Sequence, residues 1–170
     1  MAREDLELGP CAVFFGVKGI EEDLGRTEGG VRVAFVTDVG DLASDQWGTQ
    51  PEDGVFTGQG ATVTVPLAEY TLKNLGIALN MTVVGNSLIE GKRLVGQKLS
   101  EIAKSLLLKE YVDGIVSISP EDWMRFPVAA PVGNPEILFS KTDQRIIEIE
   151  FRCFPDTASM LYYIGNESAS

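Results

Sequence analysis

Residues 147–153 alternate without a break. Ile147, Ile149, Phe151 and Cys153 are apolar, and Glu148, Glu150 and Arg152 between them are charged. A strand throws successive side chains to opposite faces, so this segment needs a sheet with one buried face and one wet face. Residues 31–37 repeat the pattern, with Val31, Val33 and Phe35 opposite Arg32, Ala34 and Val36. Residues 59–65 do so again, with Ala61, Val63 and Val65 opposite Thr62 and Thr64. Residues 11–17, rich in Val and Phe, read as a further strand. The acids and three glycines of 21–30 predict turns and a hairpin. The 18 Gly and 8 Pro are spread along the chain, which suits strands and turns better than a helical bundle.

The clearest predicted hairpin joins 136–141 to 144–154 through Thr142 and Asp143. One helix is predicted. Pro66 suits its first position, and Ala68, Leu72, Leu75 and Leu79 share a face over 67–80, with Glu69 in the first turn. The stretch 82–126 is less regular. Leu99, Ile102, Ala103, Leu106 and Leu107 fit a helix, Leu106 and Leu108 also fit a strand, and both readings stay open. Trp123 anchors an expected turn over 121–126, and Pro127, Pro131 and Pro135 mark extended chain. Leu161 opens a short final apolar run. Neither a linker nor an internal repeat divides the 170 residues, so one mainly β domain with one flanking α-helix, an α+β chain, is expected.

Segment 38–58 breaks the alternation. It holds Asp38, Asp41, Asp45, Glu52 and Asp53, no Lys or Arg, and the large aromatic Trp47. It is read as a long inserted loop, longer than a plain connection requires. The net charge is -11, and residues 1–53 hold twelve acids against four bases. Such a chain is ill suited to gripping nucleic acid, where Lys and Arg supply the affinity. It suits a surface that must not stick to DNA, although acids also serve solubility.

There is no histidine. That removes the commonest general base, the Ser-His-Asp and Cys-His arrangements and most zinc sites. No glycine cluster matches a phosphate-binding loop. The pairs Glu21-Glu22, Glu52-Asp53 and Glu121-Asp122 lie in polar turns and read as solvated, and Asp38, Asp41 and Asp45 lack calcium-loop spacing. No catalytic residue, metal site or cofactor is expected. Cys11 and Cys153 sit in apolar strand-like runs and read as two small buried thiols, which fits a reducing cytoplasm. No apolar run is long enough to span a membrane, and the opening Met1-Ala2-Arg3-Glu4-Asp5 is too polar for a secretory signal.

Several stretches, in order and spacing, resemble the tail tube (major tail) proteins of long-tailed, non-contractile bacteriophages. They are Gly9-Pro10-Cys11-Ala12-Val13-Phe14-Phe15-Gly16, Asp23-Leu24-Gly25-Arg26-Thr27-Glu28-Gly29-Gly30-Val31 and Asp45-Gln46-Trp47-Gly48. Val63-Thr64-Val65-Pro66-Leu67-Ala68-Glu69, Phe126-Pro127-Val128-Ala129-Ala130-Pro131 and the strand closing on Pro155-Asp156 complete the set. Segment 82–122 matches least.

The resemblance implies a β-sandwich or small barrel flanked by a helix. It also implies hexameric rings whose inner strands join into one barrel, stacked into a hollow tube that conducts genomic DNA. A tape-measure protein, a tail terminator, distal tail proteins and assembly chaperones would be partners. The chain would reside in the virion tail after assembly in the host bacterial cytoplasm. On this reading Arg32, Thr62, Thr64, Glu136, Ser140, Glu148, Glu150 and Arg152 would line the lumen, where acids would repel phosphate. Arg32 and Arg152 count against that unless they pair with Glu148 or Glu150. Asp38, Asp41, Asp45, Gln46, Trp47, Glu52 and Asp53 would meet a neighbouring ring or subunit, with Trp47 as anchor. Two alternatives remain: the inner tube of a contractile tail or secretion system, and a monomeric acidic β-sandwich binding module.

Overall fold

The structure, a computed structural model, describes residues 10–91 and 95–169. Gly9, at the head of the opening motif, lies outside them, as do Met1 to Asp5 and 92–94 of the irregular middle. The strands in chain order are β1 (Cys11–Gly16), β2 (Glu22–Asp23), β3 (Arg32–Leu42), β4 (Asp53–Leu67), β5 (Val83–Val84), β6 (Leu88–Ile89), β7 (Lys104–Val112), β8 (Ile115–Val116), β9 (Trp123–Pro131), β10 (Ile147–Phe154) and β11 (Tyr163–Ile164). Helix α1 (Leu72–Leu79) precedes β5, and the single turn α2 (Leu99–Ile102) precedes β7.

Nine strands form one antiparallel sheet in the order β2-β1-β7-β9-β10-β4-β3, with β11 on β9 and β8 on β7. The protein is therefore a β-rich α+β fold, as the alternating segments predict. The sheet coils strongly. Strands β1 and β10 are three places apart, which in a flat sheet is about 14 Å. Yet the Phe15 and Phe151 rings lie 4.9 Å apart. The chain beyond β2 crosses to the far end of β4, where Thr27 bridges Leu67 and the Ala68 amide donates to the Arg26 carbonyl at 2.8 Å. This single bridge joins the two sides without closing a barrel.

The concave face holds the core. Val13, Phe15, Val63, Val65, Leu67, Leu106, Phe126, Ile147, Ile149 and Phe151 are all buried there, and Cys153 sits beside them. Burial of β10 alternates residue by residue, as its sequence requires. Strand β7 is buried on both faces from Ser105 to Leu108. That explains its ambiguity: an apolar run covered on both sides carries no period.

Four expectations are corrected. The helix begins five residues later than predicted. Pro66 and Leu67 complete β4, where Leu67 pairs with Ile147, and burial of Leu67 holds that stretch extended. Thr71 then caps α1, its hydroxyl accepting the Asn74 amide at 3.1 Å, and Asn80 ends it at φ 55°. Glu69 lies outside the helix and accepts the Arg26 amide instead. Second, 136–141 forms no strand. Strand β10 pairs with β4 from Ile147 to Cys153 and with β9 only from Phe151 to Phe154, and residues 136–146 join neither ladder. Third, 38–58 is not an inserted loop: 38–42 and 53–58 continue β3 and β4 as a paired hairpin, with a bulge between Asp38 and Val39. Only 43–52 connect the strands. Trp123, expected in a turn, opens β9, and the turn before it is the short helix Pro120–Asp122.

Candidate assembly surfaces

The convex face of β3, β4 and β10 gathers six of the eight residues assigned to a lumen. Cross-strand register makes two rows, Arg32–Thr64–Glu150 and Ala34–Thr62–Arg152, with Glu148 beside Pro66. Arg32, Glu148, Glu150 and Arg152 are exposed, and Thr62 and Thr64 are half-buried. Two acids and two bases thus share the face. No ion pair joins them among the described residues, and the Arg152 guanidinium stands 5.7 Å from the Phe154 ring. The pairing that would neutralise Arg32 and Arg152 is absent there. Glu136 and Ser140 do not join the face. They belong to the irregular segment before β10, where the Ser140 hydroxyl donates to Asp143 at 2.9 Å.

The β3–β4 hairpin continues beyond this face as an arm. From Val36 to Gln59 nearly every residue is exposed, because among the described residues no other element lies over either side. Paired residues share a face, so Val39 and Phe56 stand together on one side, with Asp41 opposite Gly54. Val36, Leu42 and Val55 stand on the other. Phe56 is 80% exposed and Trp47, at the tip, 63%. Asp38, Asp41, Asp45, Gln46, Glu52 and Asp53 are also exposed. The structure therefore brings all seven interface candidates onto one arm, with Glu52 bound by the Ser44 hydroxyl at 2.6 Å. At the arm's base, Phe35 meets Tyr162 edge to face at 4.9 Å.

A second surface went unassigned in the sequence. Leu138 and Phe139 are 61% and 74% exposed, and Arg145 lies between the Phe139 ring at 4.5 Å and the Tyr70 ring at 5.2 Å. The signal was present as Ile137-Leu138-Phe139, but the predicted hairpin assigned it to a core.

A part-buried ionic cluster was also missed, because its members come from distant segments, and it corrects the reading of Glu21 as solvated. Glu21, after β1, accepts from Arg125 of β9 at 2.7 Å and from the Ser105 hydroxyl at 2.9 Å. Arg125 also meets Glu167 at 3.2 Å, and Lys18 pairs with Glu167. Burial pushes the Glu21 carboxyl up. Its backbone hydrogen bond, the Ser105 hydroxyl and the Arg125 charge outweigh that and hold it below the usual glutamate value. Nearby, the Lys109 ammonium lies 4.7 Å from the Phe14 ring and 4.2 Å from the Trp123 ring. The two pairs of Glu167, with Arg125 and Lys18, clamp the carboxyl-terminal segment onto the sheet.

Both thiols are free. Burial pushes Cys11 up to about 11, with Glu110 adding to the rise, and Cys153 up to about 12. Among the described residues no group of three or more His, Cys, Asp or Glu could hold a metal ion, and no helix is long and apolar enough to cross a membrane. An open cleft of about 800 Å³ lies between α1, β1 and α2. Glu22 at its rim is engaged by Lys73.

Comparison with protein families finds no family model that matches the chain, and comparison with curated proteins finds no significant match.

Proposed function

We propose that this chain is a self-assembling structural subunit, and specifically a tail tube protein of a long-tailed bacteriophage. The observation that carries the first step is the β3–β4 arm. A monomer seldom keeps a contiguous apolar surface of more than a few hundred Å² in water. Here Val36, Val39, Leu42, Trp47, Val55 and Phe56, spread over both faces and the tip of one hairpin, are each about half exposed or more. Strand β3 also has no partner along its outer edge among the described residues. A long free edge is a template for pairing with another chain. Large exposed apolar side chains beside a free edge are what a protein keeps when copies of itself are the intended cover.

The second step rests on the resemblance of the motifs set out above. It gives hexameric rings stacked into a hollow tube, with a tape-measure protein, a terminator and distal tail proteins as partners and DNA as transit cargo. The convex face with Thr62, Thr64, Glu148 and Glu150 would then line the channel. Its balanced charge offers phosphate no net positive surface.

The test is negative-stain electron microscopy of the purified chain over a concentration series, paired with sedimentation. Rings or hollow tubes with a central channel support the reading, and a sheath around the native particle would move it to a contractile tail. A strict monomer at every concentration would favour a monomeric binding module, for which the cleft beside α1 is the natural site.

A further inference from the structure

The arm needs something to dock on, and the sheet's topology places a matching surface at its far end. Strand β4 runs from Asp53 to Leu67 with β10 antiparallel beside it, Ala61 opposite Cys153 and Leu67 opposite Ile147. The arm leaves the sheet at the Ala61 end. The segment between β9 and β10 leaves at the Leu67 end, where Tyr70 also lies. The two exposed apolar surfaces therefore sit at opposite ends of the same strands, separated by about 20 Å of sheet for six residues of extended chain.

Their charges differ as their positions do. The arm holds five acids and no base over 38–58. Residues 137–146 hold Lys141 and Arg145 against Asp143 alone, although Glu69 and Glu136 flank them. Neither Lys141 nor Arg145 forms an ion pair among the described residues. Arg145 is instead held between two partly exposed rings, which fixes its direction and leaves its N–H groups for a carboxylate. Leu138, at 61% exposed, and Phe139, at 74%, supply the apolar part.

The geometry points to a head-to-tail contact between two copies of this chain: the β3–β4 arm of one copy docks on Tyr70, Leu138, Phe139, Lys141 and Arg145 of the next. Arm and acceptor are different surfaces, so two copies that exchange the contact reciprocally about a two-fold axis stop at a dimer, and under any other operator the contact repeats into a closed ring or an open stack. This inference rests on the self-assembly reading and adds its acceptor site.

Site-specific photo-crosslinking tests it. The full chain carrying Trp47→p-benzoylphenylalanine keeps an aromatic at the arm tip. Mixing unlabelled and 15N-labelled protein identifies adducts that join two copies. After assembly and irradiation, the expected adduct joins the tip to the peptide holding 137–146, or to Tyr70, of a differently labelled copy. Arg145→Glu with Lys141→Glu should raise the concentration at half-assembly at least tenfold, while urea unfolding of the monomer stays unchanged, since both side chains are exposed. Restoration by Asp45→Arg with Asp53→Arg would be direct support. Assembly with inter-copy adducts elsewhere, or with none, overturns this contact and leaves the self-assembly reading standing. Absence of any association by the unsubstituted chain overturns both.

Discussion

Replacing Arg125 by Met should be among the most damaging single changes to the fold, although Met is apolar and Arg is a surface residue in most proteins. The Arg125 side chain is 12% exposed and that of Glu21 6%. Removing the guanidinium leaves the Glu21 carboxylate with its own backbone amide, the Ser105 hydroxyl and the Gly19 amide, and no positive charge. Breaking a fully buried pair costs ~3–5 kcal/mol, and the three donors that stay on this part-buried carboxylate place the cost at the low end of that range. Glu21→Met should cost less, since Arg125 keeps Glu167 at 3.2 Å. The double variant Glu21→Met/Arg125→Met should recover most of the loss, to within about 2 kcal/mol of the parent, because both charges leave together.

The assay is urea unfolding at pH 7, at concentrations below association. The acid limb adds a second readout. Glu21 in the folded protein lies below its ordinary value. Its contribution is therefore present above the unfolded value and lost as pH falls through the folded one. In the parent that loss belongs below the ordinary glutamate range. Arg125→Met removes one influence that lowers Glu21 and should move the loss to higher pH. A cost under about 1 kcal/mol for Arg125→Met, with the acid limb unmoved, would refute the reasoning.

Three further outcomes are expected. Phe151→Ala empties the place where Phe151 meets Phe15 and should cost ~3–5 kcal/mol in urea unfolding. Glu150→Ala on the opposite face of the same strand should stay within about 0.5 kcal/mol. Trp47→Ala and Phe56→Ala should leave monomer unfolding unchanged but raise the concentration at half-assembly ~30-fold or more, as truncation of an interface anchor worth ~2 kcal/mol would; tubes of normal length at normal concentration would count against the arm. Cys11 and Cys153, raised to about 11 and about 12, should react with a thiol reagent at pH 8 far more slowly than in denaturant. Rapid labelling of both in the native protein would contradict the burial.

What could be seen in the sequence depended on how many faces of each strand are covered. Strand β10, with Ile149 inside and Glu150 outside, has one of each, and period two marked it fully. The same holds for β4 from Ala61 to Val65. Strand β7 is covered on both faces at Leu106 and Leu107, so its apolar run could be a helix or a strand equally well. The β3–β4 arm is bare on both faces, and Val39 beside Phe56 next to Asp41 beside Gly54 gives no alternation to detect. Glu21 and Arg125 could not be paired at all, since 104 positions separate them and only the coiling of the sheet brings them together.

The two segments where the expected pattern failed outright are the arm and residues 136–146, and they failed for one reason. Both carry residues typical of strands, Val55-Phe56 in one and Ile137-Leu138-Phe139 in the other. Neither meets a core of its own chain. A sequence that keeps such residues where its own fold cannot bury them is locally inconsistent with the isolated subunit, and that kind of conflict concentrates at functional sites. The two segments leave opposite ends of the same strands, and a contact between copies can cover both. On the proposed assembly, the apolar residues of the arm and those of the unformed strand before β10 would be two halves of a single contact.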